Sequence, residues 1–263
     1  MVALLLGGLI FALKDSSVFR QLKPKQWLLL VLIGLIGGSI PFLLFFKGLA
    51  LTSATQGSFI QKTMFIYVAV LALIFLKEKI SKNFLLGALL LLLGNILVLK
   101  SLNFSFGYGD LLILLATLFW AAENVLSKYA LRELPSKIVA WGRMSFGSVF
   151  ILGFLLAIGK ASLILTLNPS QIVWVLITAA LLFGYVFTWY SGLKHIPVSV
   201  ATAILLLGSP ITTLLVAAST GKINLSDILA GILILGGLII VAGFDHIQKR
   251  FFSAAALKNY LNF

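Results

Sequence analysis

The chain has 263 residues, 61% of them hydrophobic and only 10% charged, with a mean hydropathy of +1.14. Soluble domains carry roughly 25% charged residues, so a soluble globular class is excluded and an integral membrane protein is indicated. The formal charge of +13 does not imply a nucleic-acid partner, because Lys and Arg lie between apolar runs and not on one exposed domain, and the lack of cysteine removes disulfide frameworks and thiolate metal sites.

The apolar runs have the length of membrane helices, about 17–25 residues, where barrel strands would alternate over about 10. The first, Met1 to Leu13, spans roughly 20 Å at helical rise and is a partial span. It is not read as a signal peptide, since its basic neighbours Lys14, Arg20, Lys23 and Lys25 all follow it. Further spans are expected at 27–46, 54–76, 84–100, 109–130, 138–158, 171–191, 198–219 and 228–244, making about nine helices in an all-α polytopic fold. With Met1 outside, the segments expected in the cytoplasm hold fourteen Lys and Arg and the outer ones four. That bias predicts a multi-pass protein of the cell (plasma/cytoplasmic) membrane with its carboxyl terminus in the cytoplasm. Residues 247–263, with Lys249, Arg250 and Lys258 among Phe251, Phe252, Leu257 and Tyr260, read as a basic amphipathic tail on that membrane surface.

An offset of 144 residues superposes Gly48-Leu49 on Gly192-Leu193, Gly87 on Gly231, and spans 54–76 and 84–100 on 198–219 and 228–244. Segment 77–83 is then cytoplasmic and its image outside, so the copies are inverted, as in many transporters. The first repeat is placed at 1–104 and the second at 105–246, each built on a five-helix unit. The first copy is expected to lack one helix and the start of another, as in a truncated chain or one whose start was assigned late; a nine-helix protein is the alternative.

Two charges lie deep in spans. Lys62 sits about three positions to the outer side of the middle of its span, with Gln61, Thr63 and Tyr67 beside it; Glu123, followed by Asn124, lies about three positions to the cytoplasmic side of the middle of another. Such charges cost at least ~2.5–3.5 kcal/mol and usually face a cavity or a partner. Their depths differ by roughly 9 Å, a gap two long side chains partly close, so Lys62 and Glu123 are candidate partners, either as a structural ion pair or as one for which substrate or a proton competes. Arg143 lies a turn or two from the cytoplasmic boundary, where snorkelling or lipid binding competes with a substrate role. Trp120, Tyr185, Trp189 and Tyr190 are candidates for the walls of an apolar pocket, although aromatic residues near span ends are more often interfacial belts or packing; Trp120 and Tyr67 lie nearest mid-depth. Pro41, after Gly37-Gly38-Ser39, and Pro210, after Gly208-Ser209, interrupt their helices. No His-Glu-x-x-His motif or phosphate loop occurs, so no metal or nucleotide cofactor is expected.

The motifs Gly34-Leu35-Ile36-Gly37-Gly38-Ser39-Ile40-Pro41, Phe46-Lys47-Gly48-Leu49-Ala50-Leu51-Thr52 and Leu76-Lys77-Glu78-Lys79-Ile80-Ser81 with Gly87 fall in the first copy. Tyr190-Ser191-Gly192-Leu193-Lys194-His195-Ile196-Pro197 and Leu207-Gly208-Ser209-Pro210 fall in the second. With these motifs the chain resembles the drug/metabolite transporter (DMT) superfamily in its EamA-like branch, over nearly its whole length. The resemblance implies ten helices in two inverted halves, a central cavity, and export or exchange of small metabolites by alternating access without ATP. Three departures stand out: the missing first helix, Lys222 where the repeat would offer a partner to Glu78, and Ile66 where the second copy has Pro210.

The expected function is therefore secondary transport of a small organic solute, with Lys62, Gln61, Thr63, Tyr67, Trp120, Glu123, Asn124 and Arg143 binding substrate. If Lys62 and Glu123 cancel, Arg143 remains and favours a carboxylate-bearing solute such as an amino acid. Its expected partners are that solute and the lipid bilayer, with no nucleic acid, and a homodimer is left open. A non-transporting scaffold or receptor is the alternative; an intramembrane hydrolase using Ser58 and Lys62 is the remote one.

Overall fold

The computed structural model describes residues 1–12, 17–98, 106–221 and 223–243. The expected tail at 247–263 and the basic residues Lys14, Lys100 and Lys222 lie outside these. The elements, in order, are α1 (Val2–Ala12), α2 (Ser17–Gln21), α3 (Pro24–Leu49), α4 (Ala54–Leu76), α5 (Lys82–Val98), α6 (Tyr108–Ala130), α7 (Ser136–Ala157), α8 (Pro169–His195), α9 (Val198–Thr220) and α10 (Leu225–Ala242). Seven are long and apolar enough to cross a membrane, and α1 and α5 are shorter apolar helices. The protein is an all-helical polytopic membrane protein, and each expected span has its helix. Sequence periodicity missed the short α2 and a 3₁₀ turn at Ala161–Leu165.

The helix boundaries follow local chemistry. At α8, Asn168 and Gln171 form a reciprocal capping box, with Gln171 N–H donating to Asn168 Oδ1 at 2.8 Å and Asn168 N–H to Gln171 Oε1 at 3.0 Å, ahead of Pro169 in the first turn. Ser53 Oγ caps α4 by accepting from Gln56 N–H at 3.2 Å, and Asp110 Oδ2 accepts from Gly107 N–H at 2.8 Å at the start of α6. Gly221, at φ +67°, closes α9 in the left-handed conformation.

The chain divides into two compact units, each drawing on both sequence halves. The first comprises residues 1–76 and 106–198. Within it α6 is enclosed over most of its length, with α3 and α4 against it, while α7 packs on α3 and α8, and α1 on α7 and α8. Small residues set the closest approach: a Cβ on Gly147 would stand 2.6 Å from Gly38 O, and one on Gly38 would stand 2.5 Å from Arg143 O. Backbone-to-backbone contact of α3 and α7 therefore requires glycine on both faces.

The second unit comprises residues 77–105 and 199–263, with α5 packed on α10 and α9 on α10. Gly87 approaches Gly237 and Val241, whereas Gly94 approaches Ala230 and Ile234, so α5 and α10 run antiparallel. Glu78 accepts from Ser199 Oγ at 2.7 Å and Ser199 N–H at 3.3 Å at the start of α9, a favourable place for an anion.

Candidate functional site

Three helices of the first unit are interrupted or overhung at the places where the polar residues gather. In α3, Pro41 has no N–H to give to the carbonyl four residues back, Gly37 O, and the helix breaks at Ser39, whose backbone sits at φ −135°, ψ −68°. The freed Gly37 carbonyl accepts two side-chain donors instead, Trp120 Nε1 from α6 at 3.1 Å and Arg143 Nη2 from α7 at 3.2 Å. Phe42 and Phe45 hold the Trp120 ring from the far side of the break, at centroid distances of 5.4 and 5.3 Å. The same logic operates at the end of α8. Pro197 leaves Leu193 O free, and Lys128 Nζ donates to it at 2.7 Å, to Lys194 O at 3.2 Å and to Ile196 O at 2.8 Å.

Around the Gly37 carbonyl lies a buried ionic cluster. Glu123 on α6 is 1% exposed and Arg143 7% exposed, so Arg143 points into the unit and the snorkelling alternative is set aside. Glu123 Oε1 accepts from Tyr190 OH on α8 at 2.6 Å and from Ser127 Oγ, one turn along α6, also at 2.6 Å. Arg143 Nη2 stands 4.0 Å from Glu123 Oε2, too far for a hydrogen bond but close enough for strong attraction. Glu123 Oε2 and Arg143 Nε have no hydrogen-bond partner among the described residues. Gly37 makes room for the carboxylate: a Cβ there would lie 2.7 Å from Glu123 Cδ. Asn124 faces the other way, its Nδ2 donating to Trp120 O at 2.8 Å with Met64 Sδ of α4 3.7 Å away.

The candidate Lys62–Glu123 pair is not formed: the cation that pairs with Glu123 is Arg143. The reason is rotational, since matching depth does not place two side chains on facing sides of their helices. Lys62, Gln61, Thr63 and Tyr67 are half-buried on α4, and no hydrogen bond or ion pair of the Lys62 ammonium occurs among the described residues. Lys62 sits at a break of its own. The regular helix stops at Lys62, Thr63 turns its Oγ1 back onto Ile60 O at 2.6 Å, and helix resumes at Met64.

The 144-residue offset carries residues 61–63 onto 205–207, and there α9 changes to a 3₁₀ turn at Leu205–Leu207 before Gly208. Both helices are thus interrupted at positions that the offset pairs. Residues 1–100 and 107–243 match the EamA-like transporter family. The chain belongs to that family. Family members similar to it include an uncharacterized transporter of Archaeoglobus fulgidus, 26% identical over 235 residues covering 85% of this chain and 80% of the relative. The uncharacterized transporter YyaM of Bacillus subtilis is 27% identical over 263 residues, covering 94% and 82%. An uncharacterized transporter of Methanothermobacter thermautotrophicus is 28% identical over 145 residues, a stretch that is 53% of this chain and 42% of that relative. A solved crystal structure shares the fold at a TM-score of 0.69 with 20% identity, over 91% of this chain and 83% of that one. As an EamA-like protein the chain is a multi-pass membrane transporter, a class that is generally not catalytic.

Sequence reasoning singled out Glu123, Arg143, Trp120 and Asn124, which the structure gathers, and the Lys62 group, which stands on a separate helix. It ranked Tyr190 below Trp120 and Tyr67 as a pocket wall, and missed Ser127 and the Gly37 carbonyl. Two signals were present: Ser127 is four residues from Glu123 on one helix face, and Pro41 identifies Gly37 as the carbonyl it leaves unbonded.

Proposed function

We propose that this protein is a secondary transporter of a small organic solute bearing a carboxylate, moved by alternating access, with Lys62 as the group that meets the carboxylate. The observation that carries the reading is Lys62 itself: a cation at the break of a membrane helix, with no ion partner among the described residues, while Glu123 and Arg143 neutralise one another. Interrupted membrane helices are where transporters of other folds bind solute, because broken turns leave backbone groups to coordinate it. Counting charge from the structure reverses the roles in the sequence reading but keeps its sign. Arg143 is the neutralised cation and Lys62 the unmatched one, so an anionic group remains the complement. Gln61, Thr63 and Tyr67 flank the ammonium and supply hydrogen bonds to the rest of the solute.

The proposed setting is the plasma membrane, with the carboxyl terminus in the cytoplasm as the fourteen-to-four bias of Lys and Arg favours. The test is thermal unfolding of the purified protein against a panel of amino acids and other small carboxylates, each paired with its amide. A ligand that binds the folded state alone raises apparent stability by about 2.7 kcal/mol at a hundred times its dissociation constant. Stabilisation by a carboxylate and not by its amide is expected; equal effects from both throughout the panel would remove the carboxylate from the reading.

A further inference from the structure

The corner that leads into α3 combines exposed cations with an aromatic anchor. The short α2 is followed by Leu22 and Lys23, and α3 begins at Pro24. Val18, Phe19 and Leu22 are half-buried, whereas Arg20, Gln21, Lys23 and Lys25 are exposed. Phe19 ties this segment down: its ring lies edge-on to Trp141 near the start of α7, with centroids 4.8 Å apart, and stacks on Trp27 in the first turn of α3 at 6.3 Å. Trp27 and Trp141 are themselves 6.4 Å apart, and both meet Phe146, at 6.3 and 6.1 Å. Tryptophans in the opening turns of two membrane helices lie at the level of the lipid headgroups, where their amphipathic rings are favoured.

Arg20, Lys23 and Lys25 form no ion pair among the described residues. The acid beside them is Glu133, in the turn between α6 and α7, and its Oε2 accepts from Gln26 Nε2 at 3.1 Å, while Gln26 Oε1 accepts from Lys23 N–H at 3.0 Å. Glu133 is thus engaged in holding that turn to the start of α3, and the three exposed cations outweigh it.

We propose that this corner is a binding surface for the phosphate headgroup of an anionic membrane lipid, with Arg20, Lys23 and Lys25 meeting the headgroup and the Phe19–Trp27–Trp141 cluster holding them at headgroup depth. The anchor selects a lipid over a soluble anion, because it fixes the cations in the layer where lipid phosphates are concentrated. Attraction of a basic side chain to an anionic bilayer surface strengthens binding roughly fivefold per charge. The surface is separate from Lys62 and does not depend on which solute is carried.

The test uses the full chain, in a Trp174→Phe/Trp189→Phe background so that Trp27 and Trp141 dominate as reporters, in phosphatidylcholine vesicles. A minor fraction of brominated phosphatidylglycerol or brominated phosphatidylcholine is included, since bromine quenches a tryptophan that its lipid touches. The ratio of the two lipid affinities is expected to exceed roughly fivefold, and to fall to about one in Arg20→Gln/Lys23→Gln/Lys25→Gln. Phe19→Ala, which keeps every cation and removes the anchor, is expected to lower the ratio as well, whereas Lys77→Gln/Lys79→Gln, at exposed cations of the second unit, is expected to leave it unchanged. Equal quenching by the two lipids, or a wild-type ratio in the triple variant or in Phe19→Ala, overturns the proposal. So does a ratio that collapses when glycerol phosphate is added at constant ionic strength, which would assign the cations to a soluble anion.

Discussion

The Glu123–Arg143 pair permits a quantitative test. At 4.0 Å and an effective dielectric constant near 20, two unit charges attract by about 4 kcal/mol. Arg143→Met removes the cation and leaves the carboxylate, 1% exposed, without a counter-charge; breaking one side of a buried pair costs about 3–5 kcal/mol. Glu123→Gln costs less in hydrogen bonding, because its amide oxygen still accepts from Tyr190 and Ser127, but it removes the counter-charge of Arg143. In the double variant neither charge is buried, so its loss falls short of the sum of the singles by about 4 kcal/mol. The assay is thermal unfolding of the four proteins in one detergent, where each kcal/mol shifts the midpoint by about 2–4 °C for a chain of this size. Arg143→Met is then expected to melt roughly 6–20 °C below wild type, with the double variant regaining part of that. Additivity of the two single effects within about 0.5 kcal/mol would refute the pairing, since independent sites behave that way.

Other consequences follow from the freed carbonyls and the glycine contacts. Lys128→Met leaves three carbonyls at the end of α8 without their donor; hydrogen bonds to a charged group contribute about 1.5–3 kcal/mol, and a melting-point drop of several degrees, smaller in Lys128→Arg, is expected. Pro41→Ala restores an N–H that competes for Gly37 O, so Trp120 loses its acceptor and the emission spectrum shifts, a change absent when Trp120→Phe is combined with it. Gly87→Val places a side chain where a Cβ would already stand 2.6 Å from Gly237 O, and a loss of about 1–3 kcal/mol is expected in thermal unfolding.

Much of the fold was legible because a membrane helix announces itself by length and apolarity. The breaks at Thr63 and at Leu205–Leu207 carry no proline of their own and were not read from the sequence. The site was legible in part. A charge deep in an apolar run is conspicuous, so Lys62 and Glu123 were found at once. Depth along a helix follows from counting residues, but the direction a side chain faces, and which helix lies opposite, depend on packing. Hence Glu123 was matched to Lys62, whereas Gly38 and Gly147 let α3 and α7 close tightly and Gly37 leaves room for Glu123 beside Arg143. Tyr190 reads as an interfacial ring until α8 is seen to turn it toward α6, 0% exposed.

Lys62 remains the residue on which the functional account depends most. The 144-residue offset pairs it with Leu206, 2% exposed. The most direct measurement is exchange of a labelled carboxylate solute by proteoliposomes carrying wild type, Lys62→Arg or Lys62→Met. Exchange retained by Lys62→Arg and lost by Lys62→Met is predicted; a Lys62→Met protein that exchanges solute as fast as wild type would contradict the account.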